Sequence, residues 1–381
     1  PMLGMKLTGK VGENSTVAAL YSVDNVIESD RATLGRYTHI PILRYKHSLS
    51  DDSYFRLMYS GRELEHSNNR VVGFDEQYRI SKSGVIESNG FISTAKDVSS
   101  PTTSNGNTFG GRFSNISRNL DYIFGFRNVS EDFRAEMGYI TRTGLLNFNG
   151  LVRPKFYPNS SLFQRIDLEF VTGQTKDKFY NLWETTNDFA LNFYFNGSWF
   201  FRTRMNYSTE VFANHVFQTS GIHSQIKAQV TKEIYATVLY RSIKSIFYST
   251  PEQGKGNVFV ASLAFEPRGN FQAEGLFTYN DFYRDSDNSK LYEYTISRIK
   301  LTYQLNQYVF FRTIEEYNNY RKQFTTDFLA SFVYVPGTAV FLGYGSVFNQ
   351  LHWNGSKFEE SNNFLEMKRG LFLKMSYLWR T

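Results

Sequence analysis

Histidines and carboxylates are the side chains that do most acid–base and metal chemistry, so their spacing comes first. The six histidines are His39, His47, His66, His215, His223 and His352, and no two stand at metal-ligand spacing on one element. Zinc sites need clustered N, S or O ligands, so a structural or loop role fits each histidine better than ligation. There is no Cys, which excludes disulfides, thiolate nucleophiles and Cys-based metal centres. The acidic run Asp281 to Asp287 lacks the Gly and Glu positions of an EF-hand, and Gly254-Lys255-Gly256 lacks the upstream glycine of a phosphate loop. No Gly-x-Ser-x-Gly elbow occurs.

Charged residues at alternate positions are the remaining candidates. Asp167, Glu169, Asp188 and Glu274 fall on the polar side of alternating segments, where paired carboxylates could share acid–base work. Arg202, Arg204, Lys227, Arg298, Lys300, Lys374 and Arg380 fall there too. Mutual charge balance across a wet interior explains both sets more simply than catalysis. His352 and Trp353, in a stretch rich in polar residues, are the candidate loop ligands, and Trp183-Glu184 marks another tip. A Trp at such a tip can hold a sugar, but packing under its own loop is the commoner fate.

The elements that position these residues are strands. Aromatics make up 17% of the chain, with 26 Tyr and 36 Phe, yet mean hydropathy is −0.41. Rings and polar groups must therefore lie close together in sequence, as in strands with one apolar and one wet face. Trp199, Phe201, Thr203, Met205 and Tyr207 alternate with Arg202, Arg204, Asn206 and Ser208. Ile222, Ile226, Ala228 and Val230 oppose His223, Gln225, Lys227 and Gln229, and Phe271 to Asn280 and Arg298 to Leu305 repeat the pattern. At the C-terminus Leu371, Leu373, Met375, Tyr377 and Trp379 oppose Lys374, Ser376 and Arg380.

Alternation alone would suit a soluble sandwich. Many segments, however, reach the roughly 9–11 residues a tilted strand needs to cross a bilayer. Aromatics gather at their ends, as in Tyr308-Val309-Phe310-Phe311 and Tyr377-Leu378-Trp379, where interfacial girdles place them. Short connections such as Pro336-Gly337-Thr338 alternate with long polar ones such as Asn25 to Tyr37, Asp97 to Asn107 and Asn349 to Asn363. The sequence has no apolar run of the roughly 18 residues expected of a membrane helix. The expectation is an all-β protein, a transmembrane antiparallel up-and-down β-barrel of about 20–22 strands, forming one domain over residues 1–381.

The pass along the chain yields roughly 21 strands, whereas bacterial barrels take an even number. Either one strand precedes the Gly4–Val11 segment, for about 22, or one was divided between Thr141 and Thr175, for about 20. No signal peptide is visible at Pro1-Met2-Leu3-Gly4, which suggests a processed or truncated chain.

Several stretches resemble an uncharacterised family of Bacteroidota outer-membrane proteins. They are Gly4-Met5-Lys6-Leu7-Thr8-Gly9-Lys10; Phe133 to Arg142, ending Gly138-Tyr139-Ile140-Thr141-Arg142, with Tyr where the family has Phe; Pro336-Gly337-Thr338 followed by Gly343-Tyr344; and Lys374 to Arg380. The resemblance implies a barrel that in full-length members follows a carbohydrate-binding-like module of the family 9 type. It supplies no catalytic motif, although some members are labelled hydrolases.

The functional expectation is an outer-membrane passage or docking component of a Gram-negative envelope, without cofactor or metal. Its partners would be outer-membrane lipid and lipopolysaccharide, with other envelope proteins or a plug as further candidates. The net charge of +6 is spread rather than clustered, which gives nucleic-acid binding little support. The lumen would be open, closed by infolded loops such as Asp97–Asn107 and Asn349–Asn363, or filled from outside the chain. The alternative is an envelope glycan-binding or hydrolytic protein whose site lies in outer loops or in the missing module. A third reading is a soluble β-rich protein.

Overall fold

The computed structural model describes residues 2–98 and 102–379. Arg380 therefore lies outside the described residues, as do positions 99–101 of the expected Asp97–Asn107 loop. Strands and their connections make up the described chain, apart from a short helical stretch over residues 28–34. It divides into two compact units: residues 1–156, 168–189 and 207–216, and residues 157–167, 190–206 and 217–381.

The first unit contains β1 (Leu3–Val11), β2 (Ser15–Asn25), β3 (Tyr37–Ser50), β4 (Ser53–Glu63), β5 (Asn68–Arg79), β6 (Gly84–Lys96), β7 (Thr103–Ile116), β8 (Leu120–Val129) and β9 (Leu145–Phe156). Each pairs antiparallel with the next. Four strands, β10 (Phe163–Asp177), β11 (Leu182–Phe195), β12 (Trp199–Phe212) and β13 (His215–Gln218), contribute residues to both units. Beyond β13, the second unit continues with β14 (Gly221–Gln229), β15 (Ile234–Phe247), β16 (Glu252–Arg268), β17 (Phe271–Arg284), β18 (Lys290–Gln304), β19 (Val309–Asn318), β20 (Gln323–Val335), β21 (Thr338–Trp353) and β22 (Phe358–Ser376). From β14 to β22, again, each strand pairs antiparallel with its successor.

The described residues form 22 strands, within the expected range of about 20–22. The succession is irregular only at β13. The chain reverses at Ala213 and Asn214, both with positive φ, and β14 pairs back onto β12 from Trp199↔Ala228 to Asn206↔Gly221. β13 and β14 therefore run in the same direction and are interrupted at Thr219-Ser220. The break does not fall between Thr141 and Thr175, where β9 and β10 are separate, complete strands.

The expected faces are present. In the second unit the register keeps Ile226, Val238, Leu263, Phe277, Ile299, Phe328, Leu342 and Leu373 on the exposed apolar side. Met205 and Tyr207 are 61% and 64% exposed, which places them on the surface and not in a core. Large apolar side chains with no protein cover are costly in water and at home in hydrocarbon.

Two expected long loops are strand in part. β21 runs to Trp353 and β22 starts at Phe358, so residues 349–363 form a long hairpin with a four-residue tip. β7 likewise begins at Thr103, inside the expected Asp97–Asn107 loop. Backbone hydrogen bonding to a long neighbouring strand overrides the turn-like Ser, Thr and Asn composition. The C-terminal strand ends at Ser376, short of the expected Tyr377–Trp379. The longest connection between successive strands is instead 130–144, between β8 and β9.

Candidate functional site: the polar face and an infolded segment

Segment 130–144 folds back onto the polar face of the first unit. Phe133 is only 4% exposed and packs with Val71 of β5 and Val129 of β8, beside Phe91, Ala135 and Ile140. Val71 and Phe91 share the polar-face parity of Asp75 and Asn89, so the apolar residues stand beneath the segment on an otherwise polar surface. Ring burial drives the docking, and hydrogen bonds fix its register.

Asn69, 2% exposed, donates from Nδ2 to the Arg134 carbonyl at 2.9 Å and accepts the Glu136 N–H at Oδ1, also at 2.9 Å. Ser93 Oγ accepts the Arg134 N–H at 3.0 Å, and Ser130 Oγ accepts the Asn107 N–H at 2.8 Å. Gly106 makes the close approach possible. A Cβ there would stand 2.3 Å from Phe133 Cα and 2.5 Å from the Asp132 carbonyl carbon.

Ion pairs pin the two ends of the segment. Arg134 reaches Asp97 at 2.7 Å and Arg62 reaches Glu136 at 2.6 Å, while Arg134 and Glu136 also pair. Arg142 bridges Asp177 and Glu184, each at 2.8 Å. The Asp177 carboxyl also accepts the Tyr180 N–H at 3.0 Å.

Elsewhere on the first unit's polar face several charges are paired, while Arg44, Lys46 and Arg127 make no ion pair with any described residue. Arg56 meets Asp75, and Arg153 meets Glu169 at 2.6 Å and Asp121 at 3.5 Å. Lys155 meets Asp121 at 2.6 Å. In the second unit Asp167 is paired by Arg165 at 2.9 Å, and Glu274 by Lys300 at 2.8 Å. Asp188, Arg202 and Arg204 are each engaged by neighbours. Lys227, Arg241, Arg298, Arg312 and Lys374 make no ion pair or hydrogen bond with any described residue. They share one face: the register carries it from Lys227 through Thr237, Ser262 and Leu276 to Arg298, and from Arg241 through Val258 to Asn280.

The candidate loop ligands lie together at the last hairpin. Trp353 packs on Phe358 with ring centroids 5.0 Å apart, and His352 Nε2 is 3.8 Å from Glu359. His39 lies 2.6 Å from the Tyr21 hydroxyl and His47 3.0 Å from the Ser15 hydroxyl. Asp281 accepts from the backbone N–H and Nδ2 of Asn257 and from the Tyr279 hydroxyl, while Asp287 accepts from Ser289 in its own turn. Among the described residues no three His, Asp or Glu come together in a metal-holding group. The sequence pattern gave no separate signal for segment 130–144 as an infolded element.

No family model matches the chain, and no curated protein matches it. Among solved structures the chain is similar in fold to a class of up-and-down transmembrane β-barrels. One is the copper transporter OprC, with a TM-score of 0.60 and 9% identity over 94% of this chain and 74% of that one. The FpvAI–pyocin S2 complex also matches, with a TM-score of 0.49 and 8% identity over 95% of this chain and 66% of that one, and it carries no argument. The fold class is thus an all-β, transmembrane, antiparallel up-and-down β-barrel.

Proposed function

We propose that this protein is an outer-membrane passage of a Gram-negative envelope, with its polar face turned to the solute path. The observation that carries the reading is the separation of faces along strands long enough to cross a bilayer. Apolar side chains stand uncovered on one side, and charged or hydrogen-bonded side chains occupy the other. Segment 130–144 acts as a constriction on the polar face of the first unit. Lipid and lipopolysaccharide contact the apolar face, and other envelope proteins or a plug complete the assembly. The stretches that resemble the Bacteroidota outer-membrane family, such as Gly4 to Lys10, are part of this proposal.

No step of bond chemistry enters it. The buried carboxylates Asp167 and Glu169 are both held by arginines, which suits charge balance better than proton transfer. Reconstitution into planar bilayers tests the passage: stable conductance steps are expected. Silence across repeated insertions of folded protein would sink the proposal.

A further inference from the structure

Five aromatic rings form an unbroken series at the loop end of the second unit. Phe247 contacts Phe282 at 6.0 Å between centroids, and Phe282 stacks on Tyr292 at 5.6 Å with planes 16° apart. Tyr292 then stacks beside Tyr294 at 6.1 Å, and Tyr294 meets Tyr320 at 6.4 Å. Interfacial girdle rings face lipid, but four of these rings share the parity of the polar side. Arg241, Val258, Asn280 and Tyr294 form one row across β15 to β18, and Ile243, Gly256, Phe282 and Tyr292 form the next.

Two glycines set the band's level. A Cβ at Gly254 would stand 2.3 Å from the Phe282 ring, and one at Gly256 would stand 3.2 Å from it. Phe282 therefore sinks to 4% exposure as a foundation, while Phe247, Tyr292 and Tyr294 remain half-exposed. Phe247, Phe282 and Tyr292 border a cavity of about 330 Å³ lined also by Arg241, Ser245 and Asn280, and Tyr294 stands next to Tyr292 beyond it. Asn280 Nδ2 donates to the Tyr294 hydroxyl at 2.9 Å, which leaves the amide oxygen and the phenolic proton for a ligand. Arg241 is exposed and has no carboxylate partner among the described residues.

We propose that this band binds an acidic saccharide. A pyranose ring offers a C–H face that packs on an aromatic face and a rim of hydroxyls that seek amide and hydroxyl partners. Tyr292 and Tyr294 supply the platform, Asn280 and Ser245 supply the hydrogen bonds, and Arg241 takes a sugar carboxylate as a charge-assisted pair. From Arg241 to Tyr294 the row spans three strand spacings, roughly 14 Å, the scale of a short oligosaccharide. A neutral sugar leaves Arg241 unused, and a plain aromatic acid leaves the hydroxyl-reading groups unused.

The inference names a ligand class for the proposed passage, and titration calorimetry separates the two because it reads binding without transport. The full chain in detergent is titrated with trigalacturonate, with maltotriose and with 4-hydroxybenzoate. Trigalacturonate is expected to bind most tightly. Tyr292→Ala should weaken it by about tenfold, the scale of one lost stacking contact. Arg241→Gln should bring trigalacturonate down to the maltotriose level without changing strand content by circular dichroism. Wild-type protein that binds trigalacturonate no better than maltotriose, or binds 4-hydroxybenzoate better, overturns the proposal. So does trigalacturonate binding that Arg241→Gln leaves unchanged. Arg241→Gln decides the matter alone if Tyr292→Ala does not fold, because it alters only an exposed side chain. Conductance without binding removes the saccharide site and keeps the passage; binding without conductance does the reverse.

Discussion

The two units use the same strand pattern and finish one patch of their polar faces differently. In the first, Arg56, Arg153 and Lys155 each have a carboxylate, and segment 130–144 lies over Val71 and Phe91. In the second, Lys227, Arg241, Arg298 and Arg312 stand without carboxylates among the described residues, and an aromatic band occupies the loop end. Charges that are mutually neutralised, as Arg62, Arg134 and Arg142 are around the segment, can be covered by backbone because little charge loses its water. Unpaired cations resist such cover, since each buried unpaired charge costs several kcal/mol. Arg44 and Lys46 of the first unit, like Arg241 and Arg298 of the second, make no ion pair with any described residue, so pairing marks the covered patch and not the whole unit.

The sharpest way to break this contrast is to release the segment. Phe133→Ala removes its only large buried ring and should cost about 3 kcal/mol of docking free energy. Protease cleavage within 130–144 and a rise in single-channel conductance are the expected readouts, with strand content unchanged. If conductance stays at the wild-type level once cleavage shows the segment free, it is not a constriction.

Glycine substitutions compare the units directly. Gly106→Val places side-chain atoms where the Phe133 backbone now lies, so it should undock the segment nearly as fully. Gly275→Ala in β17 meets nothing within 4 Å and should change thermal stability by no more than about 0.5 kcal/mol. Equal effects from the two would erase the distinction between a covered and an open face.

Charge reversal sharpens the electrostatic half of the comparison. Lys227→Glu combined with Arg298→Glu should lower anion preference by about twofold to threefold, read as the reversal potential in a KCl gradient. The shift should shrink at high ionic strength. The smallest expected effect is that of Asp177→Asn, which removes one of the two carboxylates that hold Arg142. Hydrogen exchange at residues 138–144 should quicken by about twofold to threefold. Unchanged exchange would show that Glu184 alone anchors the segment's end.

Much of the fold was legible because alternation is a local property. Trp199 to Tyr207 and Phe271 to Tyr279 show their faces residue by residue, and the spacing of the turns led to about 20–22 strands. Loop lengths were less legible. Asn349 to Asn363 has loop composition, yet it lies mostly in β21 and β22, where each strand extends the other. The infolded segment was hidden because Phe133 and Ile140 have no periodicity that marks them for a face. The nearest sequence hint was the glycine content of β7, at Gly106, Gly110 and Gly111.

Sequence alone determined strand character, the two-faced surface and the exclusion of cysteine chemistry, because period-2 patterning and composition need no partner to be read. Register and docking were decided only by the tertiary structure. Which cation finds a carboxylate depends on the strand that arrives beside it, as Arg153 with Glu169 shows. Phe282 and Tyr292 are unremarkable rings until pairing stacks them in one row beside the row of Arg241 and Asn280. A site assembled from four strands exists only once their relative positions are fixed, and no single segment encodes that alignment.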